Sequence, residues 1–375
     1  MPTPGPLGYV ASNFKHTQGI AEVHYYPPRS DKTPKDIIIF FPGTPSLCSL
    51  CTGLKSSYLL LITGNPGLVS YYTPFLLRLQ SHLSPHYAFL AHSHIGHSPS
   101  LPHPTTPLKL YEQVDSKVEF VKALTKELVE LRRREGGEEG EDRPVRISFI
   151  GHSVGSEIAV QTMRQLDDHL ETSLSTFDNN PDEVDTPARF KMNASFLLFP
   201  TISHIALTPN GQKLRPIFAA PLIHLLPALC YLIHPIVQIL RFALSFVSAS
   251  TSPMGTTVNT TTSIYAPNST TLHFLSSPQT VKHVLNLAKS EMVSITQPDL
   301  EWYAINRSRL WSYWGKQDGW VGKQGDEVKR VLRGGDRVVV EEQEGRVVDC
   351  VDNIPHAFCL GKSVIVADQT CCDNG

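Results

Sequence analysis

The stretch ISFIGHSVGSEIAVQTM, residues 147–163, constrains the fold of this chain more than any other. A β-branched and aromatic run ends at Gly151-His152-Ser153-Val154-Gly155, and an amphipathic helical pattern follows. That order predicts a strand, a sharp turn and a helix, the setting in which G-x-S-x-G carries a nucleophilic serine. Gly151 and Gly155 have a physical task, because backbone segments approach closely in such a turn and side chains there would collide with them. The turn lifts Ser153 Oγ above the sheet and leaves the Val154 N–H at a helix start, where it can stabilise an oxyanion. A glycine-flanked serine in an ordinary strand–helix connection is the bland alternative; agreement between motif and flanking pattern favours the nucleophile.

The rest of the chain supplies a sheet to hold this turn. With 375 residues, 41% of them apolar, it can bury one large core, and a net charge of -2 gives no sign of a surface for nucleic acid. Residues 37–41 read as a strand buried on both faces, residues 111–134 as a helix, residues 145–150 as the strand before the elbow, and residues 196–199 as another short buried run. The charged, Gly-rich residues 134–143 read as a solvated loop, and residues 167–189 are polar and weakly patterned. This alternation predicts an α/β fold with a mostly parallel central sheet and helices on both faces. Seven cysteines lie at 48, 51, 230, 350, 359, 371 and 372, with no second C-x-x-C and no nearby His pair, so no zinc site is expected and a reducing compartment is. The first residues lack the pattern of a secretory signal, and the N-x-S/T triplets at Asn193, Asn259, Asn268 and Asn306 are then read as chance.

A nucleophilic serine needs a base, and after a strand–elbow–helix the chain order is Ser, then Asp or Glu, then His. Residues 310–314 read as a strand opening into a loop with Asp318; residues 347–351 read as a strand opening into a loop with His356. Both lie past the C-terminal ends of strands, where open α/β sheets place their sites. Between them, residues 321–332 read as a helix and residues 337–343 as a strand or its approach. His356 is then general base towards Ser153 and general acid towards the leaving group, with Asp318 orienting the ring. Asp336, in an RGGDR turn, is the competitor for the acid; Asp349 and Asp352 lie too close to His356 in the same segment, and His152 is held beside the serine rather than facing Oγ.

Four stretches together carry a resemblance: GNPGLVSYYTPFL (residues 64–76), GHSVG, QDGWV (residues 317–321) and NIPHAF (residues 353–358). With them the chain resembles the lipid droplet-associated hydrolase family of the α/β-hydrolase superfamily, from about residue 37 to residue 360. The resemblance implies a triad on Ser153, Asp318 and His356, an ester-hydrolase activity, and residence on lipid droplets and the endoplasmic reticulum. It also makes GNPG the loop that supplies the second oxyanion N–H; Pro66 has none, which leaves Asn65 as donor.

Two apolar runs end in Gly/Pro turns here, residues 37–43 and residues 58–67. Removing residues 44–64 joins IIIFFPG to NPGLVSYY without a break, so we expect that segment to be an insertion, such as an intron retained in frame. The rival arrangement has residues 58–63 as the strand entering the turn, with residues 21–26 as the early antiparallel strand.

Residues 215–246 are apolar for longer than a bilayer span, yet Pro216, Pro221, Pro227 and Pro235 interrupt them. We expect broken helices of a lid, at residues 201–300 between the two parts of the core (1–200 and 301–375), followed by a Ser/Thr-rich loop at 251–271. Its apolar face would rest on a droplet monolayer or membrane surface, with Arg215 and Arg241 at the head groups. The alternative is packing on its own domain. After His356 a closing helix is expected, but residues 361–375 look short for one. The sequence thus predicts a serine hydrolase of lipid carboxylic esters, such as a sterol ester or an acylglycerol, on the cytosolic face and without metal or organic cofactor; the rival is a droplet protein of lipid storage with little turnover.

Overall fold

The computed structural model describes residues 10–26, 36–37, 57–82, 87–134, 145–177, 190–218, 223–232, 235–236, 239, 267–335, 347–350 and 352–372. Among these, nine strands form a sheet. They are β1 (Val10–His16), β2 (Gly19–Tyr26), β3 (Asp36–Ile37), β4 (Ser57–Ile62), β5 (Tyr87–His92), β6 (Val145–His152), β7 (Phe190–Leu198), β8 (Leu310–Trp314) and β9 (Val347–Asp349). The spatial order is β1-β2-β5-β4-β6-β7-β8-β9, with β3 beside β5. β1 and β2 form an antiparallel hairpin and β2 pairs antiparallel with β5. From β5 onward every pair is parallel.

Parallel strands need crossovers, and these bring helices onto both faces. Helices α1 (Thr73–His82), α2 (Leu110–Arg134) and α3 (Val154–Phe177) each follow a strand of the sheet. Along α3, Ile158, Ala159, Val160, Met163 and Leu166 are buried and join Phe149, Ile150, Leu197 and Leu198 in one core. The central strands thereby lose water on both sides; β7 is nine residues long, with Lys191, Asn193 and Ser195 among its residues ahead of the short apolar run that the sequence showed.

The strand entering the GNPG turn is β4. It pairs with β5 on one side and with β6 on the other, in register up to Ile62 beside Gly151. The expectation that residues 37–41 fill this place is corrected: Asp36 and Ile37 only flank β5, and residues 38–56 lie outside the described residues. Two parallel neighbours satisfy both edges of β4, so residues 57–64 belong to the sheet and its turn.

Beyond β7 the chain leaves the sheet for α4 (Pro209–Leu214), α5 (Ile223–Leu232), α6 (Pro267–Leu275), α7 (Pro278–Ser294) and α8 (Leu300–Asn306). The ends are set by caps: Thr208 accepts from Gly211 N, Ser277 from Thr280 N and Asp299 from Trp302 N, with proline in the first turn of α4 and α7. α6 corrects the expected loop at 251–271 over its last residues; 251–266, 241–246, 135–144 and 336–346 lie outside the described residues, and with them Arg241, Asp336 and the expected strand at 337–343. The helix expected at 321–332 is a 3₁₀ turn, Gly322–Gly325, followed by α9 (Asp326–Leu332).

The closing helix exists: α10 (Ser363–Cys372) packs on α1, burying Val366 and Ala367. Arg78 Nε donates to Asp368 Oδ1 at 2.5 Å and His82 Nε2 lies 2.8 Å from the same oxygen.

Candidate active site

Ser153 sits at the turn between β6 and α3 with φ 56°, in the left-handed region that an ordinary residue avoids. The turn is tied down on both sides. Ser153 N donates to Leu198 O at 2.9 Å, and Ser153 O accepts from Ser156 N at 2.9 Å and from Thr201 N at 3.4 Å. A Cβ added to Gly151 would lie 2.2 Å from Gly155 O and 2.4 Å from Ser156 N, so the strand can pass this close to the helix start only without a side chain.

The loop after β8 carries Asp318, whose carbonyl accepts from Val321 N and Gly322 N at 3.2 and 2.8 Å, while Oδ1 accepts from Trp320 N at 2.9 Å. The loop after β9 carries His356, preceded by Asn353 at φ 49°. These two loops and the elbow meet at the C-terminal ends of three parallel strands. His356 Nδ1 lies 2.6 Å from Asp318 Oδ2, and His356 Nε2 lies 2.8 Å from Ser153 Oγ. A carboxylate only accepts, so Nδ1 carries the ring proton and Nε2 is left to accept from the serine hydroxyl. Asp318 is buried and Ser153 is half-buried, so this chain of hydrogen bonds runs from the interior towards a less buried serine.

Val154 is the first residue of α3, so its N–H has no partner within the helix. The GNPG turn lies on the other side of the serine: a Cβ on Gly64 would fall 3.0 Å from Ser153 Cβ. Asn65 is therefore next to the elbow, as the sequence predicts. Its side chain does something the sequence did not show. Asn65 Nδ2 donates to Val284 O at 3.1 Å and to Glu291 Oε1 at 2.9 Å, both on α7. The turn is also held by His97 Nδ1, which donates to Pro66 O at 2.8 Å, and by Thr63 Oγ1, which donates to Gly67 O at 3.0 Å.

Burial raises the Glu291 carboxyl to about 7, with the Asn65 hydrogen bond opposing the shift. A carboxyl that holds its proton more tightly when folded stabilises the protein below the unfolded value of about 4.5, and that stability is lost as pH rises towards 7. A shift of this size corresponds to about 3 kcal/mol. Glu291→Gln, which keeps the acceptor for Asn65, is expected to flatten the fall in melting temperature between pH 5 and pH 8. Melting curves across that range check this.

His16, His97 and His283 are buried, and desolvation lowers them to about 3, 3 and 4; burial also drives His92 and His94 well down. Asp349 pairs with Lys329 and Arg333 and does not approach His356 through its carboxylate. Among the described residues no three His, Cys, Asp or Glu side chains group as metal ligands.

Comparison with known proteins identifies the family. Residues 55–359 match the family model described as lipid-droplet associated hydrolase, a match that begins inside the segment 44–64 and takes in all of β4. The lipid droplet-associated hydrolase of Gallus gallus is 25% identical over 81% of this chain and 80% of its own length. That of Rattus norvegicus is 26% identical, with the same two coverages of 81% and 80%. Among solved structures, a membrane phospholipase A from a bacterium, a virulence factor, is 13% identical with a TM-score of 0.47, over 97% of this chain and 84% of that one. The chain has an α/β-hydrolase fold, and it belongs to the lipid-droplet associated hydrolase family.

Proposed function

We propose that this hydrolase cleaves a carboxylic ester of a lipid through an acyl-enzyme, with Ser153 as nucleophile, His356 as general base then general acid, and Asp318 as the group that orients and stabilises the imidazolium. The observation that carries this is the chain Asp318 Oδ2, His356 Nδ1 and Nε2, Ser153 Oγ, with links of 2.6 and 2.8 Å. Ser153 Oγ gives its proton to His356 Nε2 and attacks the ester carbonyl carbon. The oxyanion is met by the N–H groups of Val154 and Asn65. His356 returns the proton to the leaving alcohol; water, activated by the same nitrogen, then releases the acid and frees Ser153.

A lipid ester is favoured over a soluble one by an apolar face. Leu225, Leu229 and Leu232 fall at i, i+4 and i+7 on α5, exposed by 54, 52 and 74%, and Ile236 and Ile239 continue the exposure at 65 and 69%. A helix facing only water would not carry such a stripe. No single helix among the described residues is long and apolar enough to cross a membrane, and the segments Pro209–Phe218 and Ile223–Leu232 bend by 73°. A broken helical lid resting on a droplet monolayer or on the endoplasmic reticulum fits both facts, with exposed Arg215 near the phosphates.

Two assays test the reading. Purified protein given emulsified sterol esters, acylglycerols and short soluble esters should hydrolyse at least one, and Ser153→Ala should show no release above a small residual rate; equal release by both forms would refute the mechanism. Leu225→Asp, Leu229→Asp and Leu232→Asp together should reduce the fraction on phospholipid-coated triacylglycerol droplets by about tenfold or more, since each buried leucine contributes about 1.5–3 kcal/mol. Unchanged droplet binding would assign the stripe elsewhere.

A further inference from the structure

The serine-hydrolase reading uses the side chains of three residues, yet a fourth and a fifth connect all the moving parts. His152 Nε2 lies 2.9 Å from the backbone oxygen of His356, and His152 Nδ1 lies 2.8 Å from Tyr72 Oη. Gly64 N donates to that same phenol oxygen at 3.1 Å.

The proton positions follow from the partners. A carbonyl only accepts, so His152 carries its hydrogen on Nε2, and Nδ1 must accept. Tyr72 therefore donates its hydroxyl hydrogen to Nδ1 and accepts from Gly64 N–H. Cys359 also lies beside the phenol, but burial pushes its thiol up to about 12, so it stays neutral, and sulfur is a weak acceptor beside an imidazole nitrogen. Burial lowers His152 to about 3, which keeps the ring neutral and this pattern of donors fixed. Both side chains are buried, and the His152 ring packs edge-on against Tyr72 and Phe358 with centroids 5.7 and 4.9 Å apart.

Resting on that reading, we propose that Tyr72 and His152 are positioning residues that lock the GNPG oxyanion loop and the backbone of the base to the serine elbow. Gly64 is the residue before Asn65, so a hydrogen bond at Gly64 N–H fixes the peptide leading into the second oxyanion donor. The bond at His356 O fixes the backbone from which the catalytic imidazole hangs. His152 is the elbow residue next to Ser153, so both constraints refer back to the nucleophile. Neither side chain touches substrate. Their effect is on the distances among groups that do, and a displacement of about 1 Å in such groups costs about 100-fold in rate.

The test is kinetic and uses the full chain. Labelling of the wild type by a fluorophosphonate probe comes first: if it does not label, the serine-hydrolase reading and this proposal fall together. If it labels, Tyr72→Phe, which keeps the ring and its packing, is expected to lower both the labelling rate and kcat at least tenfold, with KM within about threefold and the melting temperature little changed. His152→Asn should do the same, and the double variant should lose no more than the worse single variant, because both act through one chain of hydrogen bonds. Should His152→Asn not fold, Tyr72→Phe alone decides. A labelling wild type with Tyr72→Phe less than tenfold slower, or slower only in step with lost stability or raised KM, would make the network structural packing and overturn the proposal.

Discussion

Ser153→Ala is expected to lower ester hydrolysis by about 10⁶-fold in kcat, and Asp318→Asn by about 10⁴-fold, with KM for the same ester little affected by either. The difference in size follows from the geometry. Without Ser153 Oγ there is no atom to form the acyl-enzyme, and what remains comes from substrate binding and the oxyanion donors. Without the Asp318 charge the nucleophile and base are still present. An amide at 318 can present its NH₂ to His356 Nδ1, which then accepts, and the ring proton moves to Nε2, where it faces Ser153 Oγ 2.8 Å away. The base then has the wrong tautomer. Asp318 is buried, so water does not easily replace the lost carboxylate. Steady-state kinetics on any ester the wild type turns over will check both. A loss for Asp318→Asn below about tenfold would mean that His356 is oriented by something other than Asp318.

Gly151→Ala is expected to disrupt the fold itself. The added Cβ would meet Gly155 O at 2.2 Å, Gly155 C at 2.4 Å and Ser156 N at 2.4 Å, and all three are backbone atoms that cannot rotate away. β6 is held between β4 and β7, and Ser153 N is bonded to Leu198 O, so the strand cannot withdraw without breaking the sheet next to the site. Overpacking that the backbone cannot relieve belongs at the top of the range for single substitutions, about 4 kcal/mol or more. For a chain of 375 residues that is about 5 °C or more in Tm. Soluble yield and thermal melting measure it. A Gly151→Ala protein melting within about 2 °C of the wild type would show that α3 does not start as close to β6 as described.

How much of this the sequence carried depended on whether the determining interactions were local. The elbow was legible because its strand, glycines and helix are contiguous, and the structure repeats it residue for residue as β6, Ser153 and α3. Asp318 and His356 were legible because each follows a strand that reads as one, β8 and β9. The strand before GNPG was not, since residues 37–41 and 57–62 are both apolar runs entering Gly/Pro turns. Pairing with β5 and β6 separates them, and pairing is a tertiary fact. The same applies to α10, whose apolar residues have little helical periodicity and whose hydrogen bond from Arg78 to Asp368 spans 290 positions of sequence. The grip of Glu291 on Asn65 spans 226 positions and the Tyr72–His152 bond 80, so no local pattern could have revealed them.

The most direct test of the central claim is to expose the purified chain to a fluorophosphonate probe and map the adduct by mass spectrometry, with Ser153→Ala alongside. The account predicts a covalent adduct on Ser153 Oγ of the wild type and none on a folded Ser153→Ala protein. A folded wild type that stays unlabelled, or an adduct on another residue, would contradict it.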